Sequence, residues 1–341
     1  MESLKFSLPI YPDLSADYIE KEFIPFLIQN KNSIYDLYFT TRMAPFNQDA
    51  MGTIFSNEDI MSMITNAIII QQKTGITVSA VFNNKFISPK KENLDLWVKN
   101  FRMLYKMGIR SCTLPFTSWM MFGIIQKEFP ELIVKNTILD SLDEPRQVYD
   151  AFIAGYNYVN LDRNLMRNQN KLKIIDEARK TAEKKLGKKL YLSLLWNENC
   201  IGNCPIQEEH YLYNSHNNIN TQKDVFFKSS LACISCSEWE KTDKAYKFKK
   251  SNIIPNKDFI SGLDMIDVFK LHGRESHNVF LNSIGIIDSI TNNKPIYDEF
   301  FMLKDKLNIT DEKFDRWVDI TKNCNFDCWK CNECSQLLEN K

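Results

Sequence analysis

Eight of the nine cysteines sit in two late groups, and their spacing is that of metal ligands. The first group is Cys200-x3-Cys204-Pro205 followed by Cys233-x2-Cys236. The second is Cys324-x3-Cys328-x2-Cys331-x2-Cys334, four thiols within 11 residues. Four thiolates satisfy a tetrahedral zinc or a cubane iron–sulfur cluster. Zinc ribbons favour two C-x2-C pairs, whereas here the first pair is C-x3-C and a proline follows its second thiol, as beside iron–sulfur clusters. The first group is therefore expected to hold a 4Fe–4S cluster, with zinc as the alternative. The second group approaches a ferredoxin run read backwards, and a second 4Fe–4S cluster or a zinc is expected there. Its first three cysteines also match the radical S-adenosylmethionine spacing. That triad belongs just after a first barrel strand, and here it follows the last. Exchange of ligands between the groups stays open, as in two-cluster ferredoxins. Cys112, alone among the first 199 residues, lies in a β-prone run and reads as core.

The elements that position these groups repeat a strand-then-helix rhythm. Strands are expected at Ile34–Phe39, Thr77–Phe82, Ser111–Phe116, Ile133–Ile138, Tyr158–Leu161, Leu190–Trp196 and Val268–Leu271. Helices are expected from Asn57 to Gln72, with Ser56 or Asn57 as N-cap and Gly75 as stop, and from Leu94 to Met107. Others are expected from Trp119 to Phe129, from Glu144 to Ala154 and from Gln169 to Leu186. No G-x-G-x-x-G follows the first of these strands, so a dinucleotide-binding open sheet loses support. The expected fold is a TIM-like (β/α) barrel over residues 1–295, with a cluster-binding loop insertion at 200–254. Residues 296–341 would form a C-terminal helix and a cysteine-rich tail anchored by Phe300, Phe301 and Leu303. The insertion contains one weak strand candidate, Ala245 to Phe248. In a barrel the chemistry sits where strands end, and Cys200 follows the sixth strand in this count.

Composition narrows the function classes. Basic and acidic side chains number 43 each, so no broad cationic surface for nucleic acid or anionic membrane is expected. No stretch approaches 18 uninterrupted apolar residues, and the first residues lack a secretory pattern. The expectation is a cytoplasmic protein, in which clustered cysteines bind metal rather than form disulfides.

Three stretches carry a family likeness. Gly155 to Asn168, with Asn160-Leu161-Asp162-Arg163 at its centre, resembles a strand-end motif. Asn197-Glu198-Asn199-Cys200, then Cys204-Pro205 and His210, resembles an N-E-x-C…C-P…H signature. Asp267-Val268-Phe269-Lys270-Leu271-His272-Gly273-Arg274 resembles a D-x-F-K-I-x-G-R motif. In this order they resemble the U-thirty-two (U32), or collagenase-like, peptidase family over roughly residues 30 to 275. The resemblance implies a β/α barrel and a four-cysteine 4Fe–4S cluster. It also implies, as in several members, oxygen-independent hydroxylation of quinone precursors or RNA bases. Cys233 and Cys236 stand closer together than the family pattern, His272 replaces its acidic residue, and the C-terminal quartet lies outside it.

Side chains at strand ends fill the remaining roles. Asp162 and Arg163 read as a catalytic acid beside a substrate-binding guanidinium, or as a salt-bridged strand cap. Glu198 reads as a general acid or base, or as a partner of loop amides. His210 would orient a sulfur ligand or move protons. His272 and Arg274 would clamp an anionic substrate. The expected function is an iron–sulfur hydroxylase or related redox enzyme. Its cofactor would be held by Cys200, Cys204, Cys233 and Cys236, and its second metal by Cys324, Cys328, Cys331 and Cys334. A small-molecule or RNA-base substrate and an electron-donor protein would be its partners. The alternatives are a peptidase, with Cys200 and His210 as nucleophile and base, and a metal-stabilised scaffold. A thiolate committed to iron is no free nucleophile, so cluster and cysteine peptidase compete.

Overall fold

Strands that bury one face against helices and the other against each other can close on themselves once eight βα units are present. The structure, a computed structural model, describes residues 4–46, 56–197, 200–202, 204–209, 239, 241–250, 263–274, 276–294 and 308–338. Eight parallel strands form a closed barrel in sequence order. They are β1 Phe6–Pro9, β2 Ile34–Thr40, β3 Val78–Val81, β4 Ser111–Leu114, β5 Ile133–Asn136, β6 Tyr158–Asn160, β7 Tyr191–Leu195 and β8 Val268–Lys270. Closure comes from β1 on β8, where Phe6 pairs with Phe269 and Ser7 with Lys270. The TIM-like barrel is therefore observed. Among the described residues no helix is long and apolar enough to cross a membrane.

Strand alternation splits the side chains between two buried environments. Leu8, Leu37, Phe39, Val78, Ala80, Cys112, Leu114, Leu192 and Leu194 join the main apolar cluster with helix residues such as Ile64, Ala67, Trp97 and Phe101. The intervening Ser7, Asp36, Ser79, Ser111, Thr113, Lys135 and Ser193 are equally buried and fill the lumen. The Ser111 hydroxyl meets that of Ser79 at 3.0 Å. Lys135 on β5 pairs with Asp36 on β2. Those strands are not neighbours, so the ion pair spans the lumen. This polar lumen departs from the branched apolar filling usual in such barrels.

Helix ends follow the sequence closely. The Asn57–Thr74 helix starts at Ser56, whose hydroxyl accepts from Asp59 N–H at 3.1 Å while Asp59 Oδ2 accepts from Ser56 N–H at 3.0 Å. It stops at Gly75, which adopts φ 65°. Ser56→Ala is expected to cost about 1 kcal/mol, read as an earlier midpoint in urea unfolding. The Lys91–Lys106 helix buries Leu94, Trp97, Val98, Phe101 and Leu104, the face its periodicity marks.

Three local readings are corrected. The barrel begins one strand earlier than expected, at β1, so the strand before Cys200 is the seventh. Four residues ending in Pro9 give too short a run to register. The expected Trp119–Phe129 helix is two, Ser118–Met121 and Ile124–Glu128, parted at Gly123 with φ 66°. The weak strand at Ala245–Phe248 lies instead at the start of a helix, Tyr246–Lys250. There Phe248 packs with Phe314, Trp317 and Leu337 in a second apolar cluster. Phe300, Phe301 and Leu303 lie outside the described residues.

Candidate active site

Because all eight strands run the same way, their C-terminal ends share one mouth. Two seams of that mouth are sewn by side-chain amides, the first where the ladder has a single register pair. Between β5 and β6, Asn160 N–H donates to Asn136 Oδ1 at 2.6 Å. Asn160 Nδ2 donates to the Asn136 carbonyl at 2.6 Å, and Asn136 Nδ2 to the Asn160 carbonyl at 3.1 Å. Between β7 and β8, His272 N–H donates to Asn197 Oδ1 at 2.7 Å and His272 Nε2–H to the Asn197 carbonyl at 2.7 Å. The carbonyl can only accept, so the ring nitrogen is the donor. Asn197 Nδ2 returns bonds to the His272 carbonyl at 3.2 Å and to Ser283 Oγ at 2.9 Å. His272 is thus tied into a strand seam. Arg274 Nη1 donates to Thr40 Oγ1 at 2.8 Å, holding the loop after β8 to the end of β2.

Asp162 and Arg163 follow β6 directly and are 3% and 5% exposed. Asp162 caps the turn Arg163–Arg167, its Oδ1 accepting from Asn164 N–H at 2.9 Å. Burial pushes its carboxyl above the ordinary carboxylate range. The Asn164 amide, Arg163 and a hydrogen bond with the Ser141 side chain pull it partly back. Ser141 follows β5 and sits at φ 48°, ψ 45°. Gln207 Nε2 donates to its hydroxyl at 3.4 Å. Gln207 belongs to a turn with Cys204, whose carbonyl accepts Gln207 N–H at 3.2 Å. Gln207 therefore reaches the loop that follows β5. Cys200 is exposed. The N–H of Gly202, at φ 67°, donates to its Sγ at 3.3 Å. Asp140, the residue before Ser141, is also pushed up by burial, although Lys85 Nζ approaches its Oδ1 to 2.8 Å.

The expected ligand sets do not form among the described residues. Among the described residues, no group of three or more His, Cys, Asp or Glu side chains could hold a metal ion. A metal needs its ligand atoms gathered at one centre about 2.0–2.3 Å away, and close spacing along the chain does not secure that. Cys200 is exposed and Cys204 half-buried. Cys233 and Cys236 lie outside the described residues, as do Glu198 and His210. In the tail, Cys334 is buried and its Sγ accepts Trp317 Nε1–H at 3.2 Å. Cys324 Sγ accepts the N–H of Phe326 at 3.3 Å, while Cys328 and Cys331 are exposed. The expectation of a 4Fe–4S cluster on Cys200, Cys204, Cys233 and Cys236 is corrected accordingly. So is that of a second cluster or zinc on Cys324, Cys328, Cys331 and Cys334. The iron–sulfur hydroxylase or oxidoreductase reading falls with them.

What the tail does contact is Arg167, at the end of the turn that Asp162 caps. Its guanidinium donates to the carbonyls of Phe248 and of Lys249, the latter at 3.3 Å, and lies 5.0 Å from the Trp317 ring centroid. Its own carbonyl accepts Cys324 N–H at 2.7 Å. Sequence reading missed Arg167 and Ser141. Arg167 stands inside the strand-end motif, and its charge in an otherwise apolar turn, Leu165-Met166, was the available signal. Nothing local marks Ser141. Asp267, also in a motif, serves the opposite end of the barrel. Its Oδ2 accepts Arg179 Nη1–H at 2.7 Å and Leu192 N–H at 2.8 Å.

Fold and mouth together define the class: a parallel β/α barrel with polar side chains at its strand ends, among them a buried acid after β6 and an exposed cysteine after β7. No family model matches the chain. A curated protein of Methanocaldococcus jannaschii, the "Uncharacterized protease MJ1657", is 26% identical over 227 residues, which is 59% of this chain and 57% of that protein. The chain thus spans little more than half the length of that relative. Among solved structures, that of the U32 peptidase Mk0906 superposes with a TM-score of 0.50 at 10% identity, over 80% of this chain and 93% of that one. The superposition speaks for the fold. The sequence likeness is to a protein named only as a protease.

Proposed function

We propose that the protein is a peptidase of the U32 type that cleaves peptide bonds at the C-terminal mouth of its barrel. Cys200 is the nucleophile and Asp162 the proton donor. The observation that carries the reading is the placement of Cys200. It is an exposed cysteine on the loop leaving β7, and the Gly202 N–H directed at its sulfur gives negative charge there a partner. The sequence likeness to a named protease supports the same reaction class. Asp162 follows β6, the neighbour of β7, and burial favours its protonated form, as a donor to a leaving amine requires.

In this reading the thiolate adds to the peptide carbonyl carbon. The C–N bond then breaks as the amine nitrogen takes the proton of Asp162. Water cleaves the thioester, and its proton returns to the Asp162 carboxylate. Arg163 places a positive charge beside that carboxylate. The small-molecule or RNA-base substrate and the electron donor lose their basis with the redox reading. The test is incubation of the purified protein with a mixed peptide library, read by mass spectrometry. Wild-type protein should generate defined cleavages, and Cys200→Ala should slow them at least about a hundredfold. A wild-type protein that cleaves nothing, or a Cys200→Ala variant that cleaves normally, overturns the assignment.

A further inference from the structure

We propose that Ser141 is a positioning residue of this mouth, holding the Asp162 carboxyl in place for its proton transfer to and from the substrate. The inference rests on the peptidase reading and deepens it. Three observations converge on this residue. Its backbone is left-handed, at φ 48° and ψ 45°. That conformation costs a residue with a Cβ roughly 1–2 kcal/mol, which is why glycine or asparagine is the ordinary choice. Here it ends the Ile138–Asp140 turn, and such a conformation persists where the surrounding structure fixes it. The hydroxyl then has two partners from other parts of the chain: the Asp162 carboxyl, after β6, and Gln207 Nε2 at 3.4 Å, from the segment that begins at Cys200. Finally, a hydroxyl has one proton and two lone pairs. Accepting from the Gln207 amide leaves that proton for the Asp162 carboxylate.

The charges that face Asp162 are accounted for. Arg163 adjoins it and stabilises the carboxylate, and Asp143 opposes it. Asp143 is itself held by Asn164 Nδ2 at 3.1 Å and by Lys171 Nζ at 3.6 Å. Ser141 is the neutral group among them that can both donate and accept a hydrogen bond. As the peptide C–N bond breaks, the leaving nitrogen takes the proton of Asp162, and the Ser141 hydroxyl donates to the carboxylate that forms. When water attacks the thioester, its proton returns to that carboxylate and Cys200 leaves as thiolate.

Ser141→Gly separates this role from a structural one. Glycine carries no penalty at φ 48°, so the variant should unfold at a urea concentration equal to or above that of the wild type. Its kcat should nevertheless fall about tenfold or more. The limb of the pH profile that reports Asp162 should move to higher pH, because a hydrogen bond that holds the carboxyl down is gone. Ser141→Ala keeps the strain without the hydroxyl and should show the same kinetic loss with lower stability. Carbon-13 titration of the Asp162 carboxyl in folded Ser141→Gly checks the same upward shift without turnover. Cleavage and a pH profile that Ser141→Gly leaves untouched, or a carboxyl titration that does not move, overturn this inference while the peptidase reading stands. A wild-type protein that cleaves no peptide overturns both.

Discussion

Lys135→Met is expected to lose about 3–5 kcal/mol of folding stability. The side chains of Lys135 and Asp36 are 4% and 1% exposed, and they meet in the middle of the barrel. Two charges removed from water are tolerated only while each neutralises the other. Asp36 Oδ1 has no hydrogen-bond partner among the described residues. With the ammonium gone, Asp36 would keep a buried charge without its counterion or take up a proton to shed it. Lys135 Nζ also lies 4.4 Å from the Tyr158 ring centroid, a contact methionine only partly replaces. The double variant Lys135→Met with Asp36→Leu should recover most of the loss, because apolar isosteres of buried pairs are often as stable as the pair. Urea unfolding of the wild type, both single variants and the double closes the cycle. A single variant within 1 kcal/mol of wild type would show that the lumen is wet enough to solvate a lone carboxylate.

The second large effect is expected at Arg167, which is 1% exposed. Its guanidinium satisfies two backbone carbonyls of the Tyr246–Lys250 helix and stacks over Trp317. Arg167→Met keeps the apolar stem and removes every donor, leaving buried acceptors unmade at a cost of about 2–4 kcal/mol. Most of that cost falls on the docking of the tail rather than on the barrel, whose apolar jacket is a separate cluster. The thiol of Cys334 is the reporter, because it is buried beneath Trp317 in the native state. Its alkylation by iodoacetamide should accelerate about 30-fold or more, the factor that 2 kcal/mol of easier opening implies. An unchanged labelling rate would mean that Phe314 and Trp317 dock the tail without the arginine.

Both variants probe residues that sequence reading passed over, and the reason is the same in each case. A helix such as Lys91–Lys106 announces itself because its period and its buried face are local properties, and Leu94, Trp97, Val98, Phe101 and Leu104 are all inside. Capping at Ser56 and the stop at Gly75 are local too. The partner of Lys135 is 99 residues away, and those of Arg167 are 81 and 82 residues away. No window of sequence holds both members of such a pair. Asp162 and Arg163 were legible as strand-end polar residues, since a strand's end can be read locally. The left-handed turn at Ser141 was not, because a serine there breaks the local preference that would have revealed it. The cysteines misled in the opposite direction. Short spacing along a chain brings thiols near one another, and Cys324, Cys328 and Cys334 do face Arg167 together. With Cys334 buried and Cys331 exposed, however, no group able to hold a metal forms among the described residues.

The seam between β1 and β8 sets a schedule for biosynthesis. Phe6 pairs with Phe269 across roughly 260 intervening residues. At ribosomal speeds of about 5–20 residues per second, β8 emerges on the order of 13–50 s after β1. During that interval the nascent sheet can grow from β1 towards β7, yet two of its margins have no mate. One is on β1 and the other on β7. Unpaired margins of this kind recruit strands from other chains. A nascent chain of this protein is therefore most exposed to aggregation late in synthesis, when seven staves stand and the last has not arrived. Chaperone capture, or slower initiation at reduced expression temperature, should raise the yield of native protein more than any change to the finished barrel.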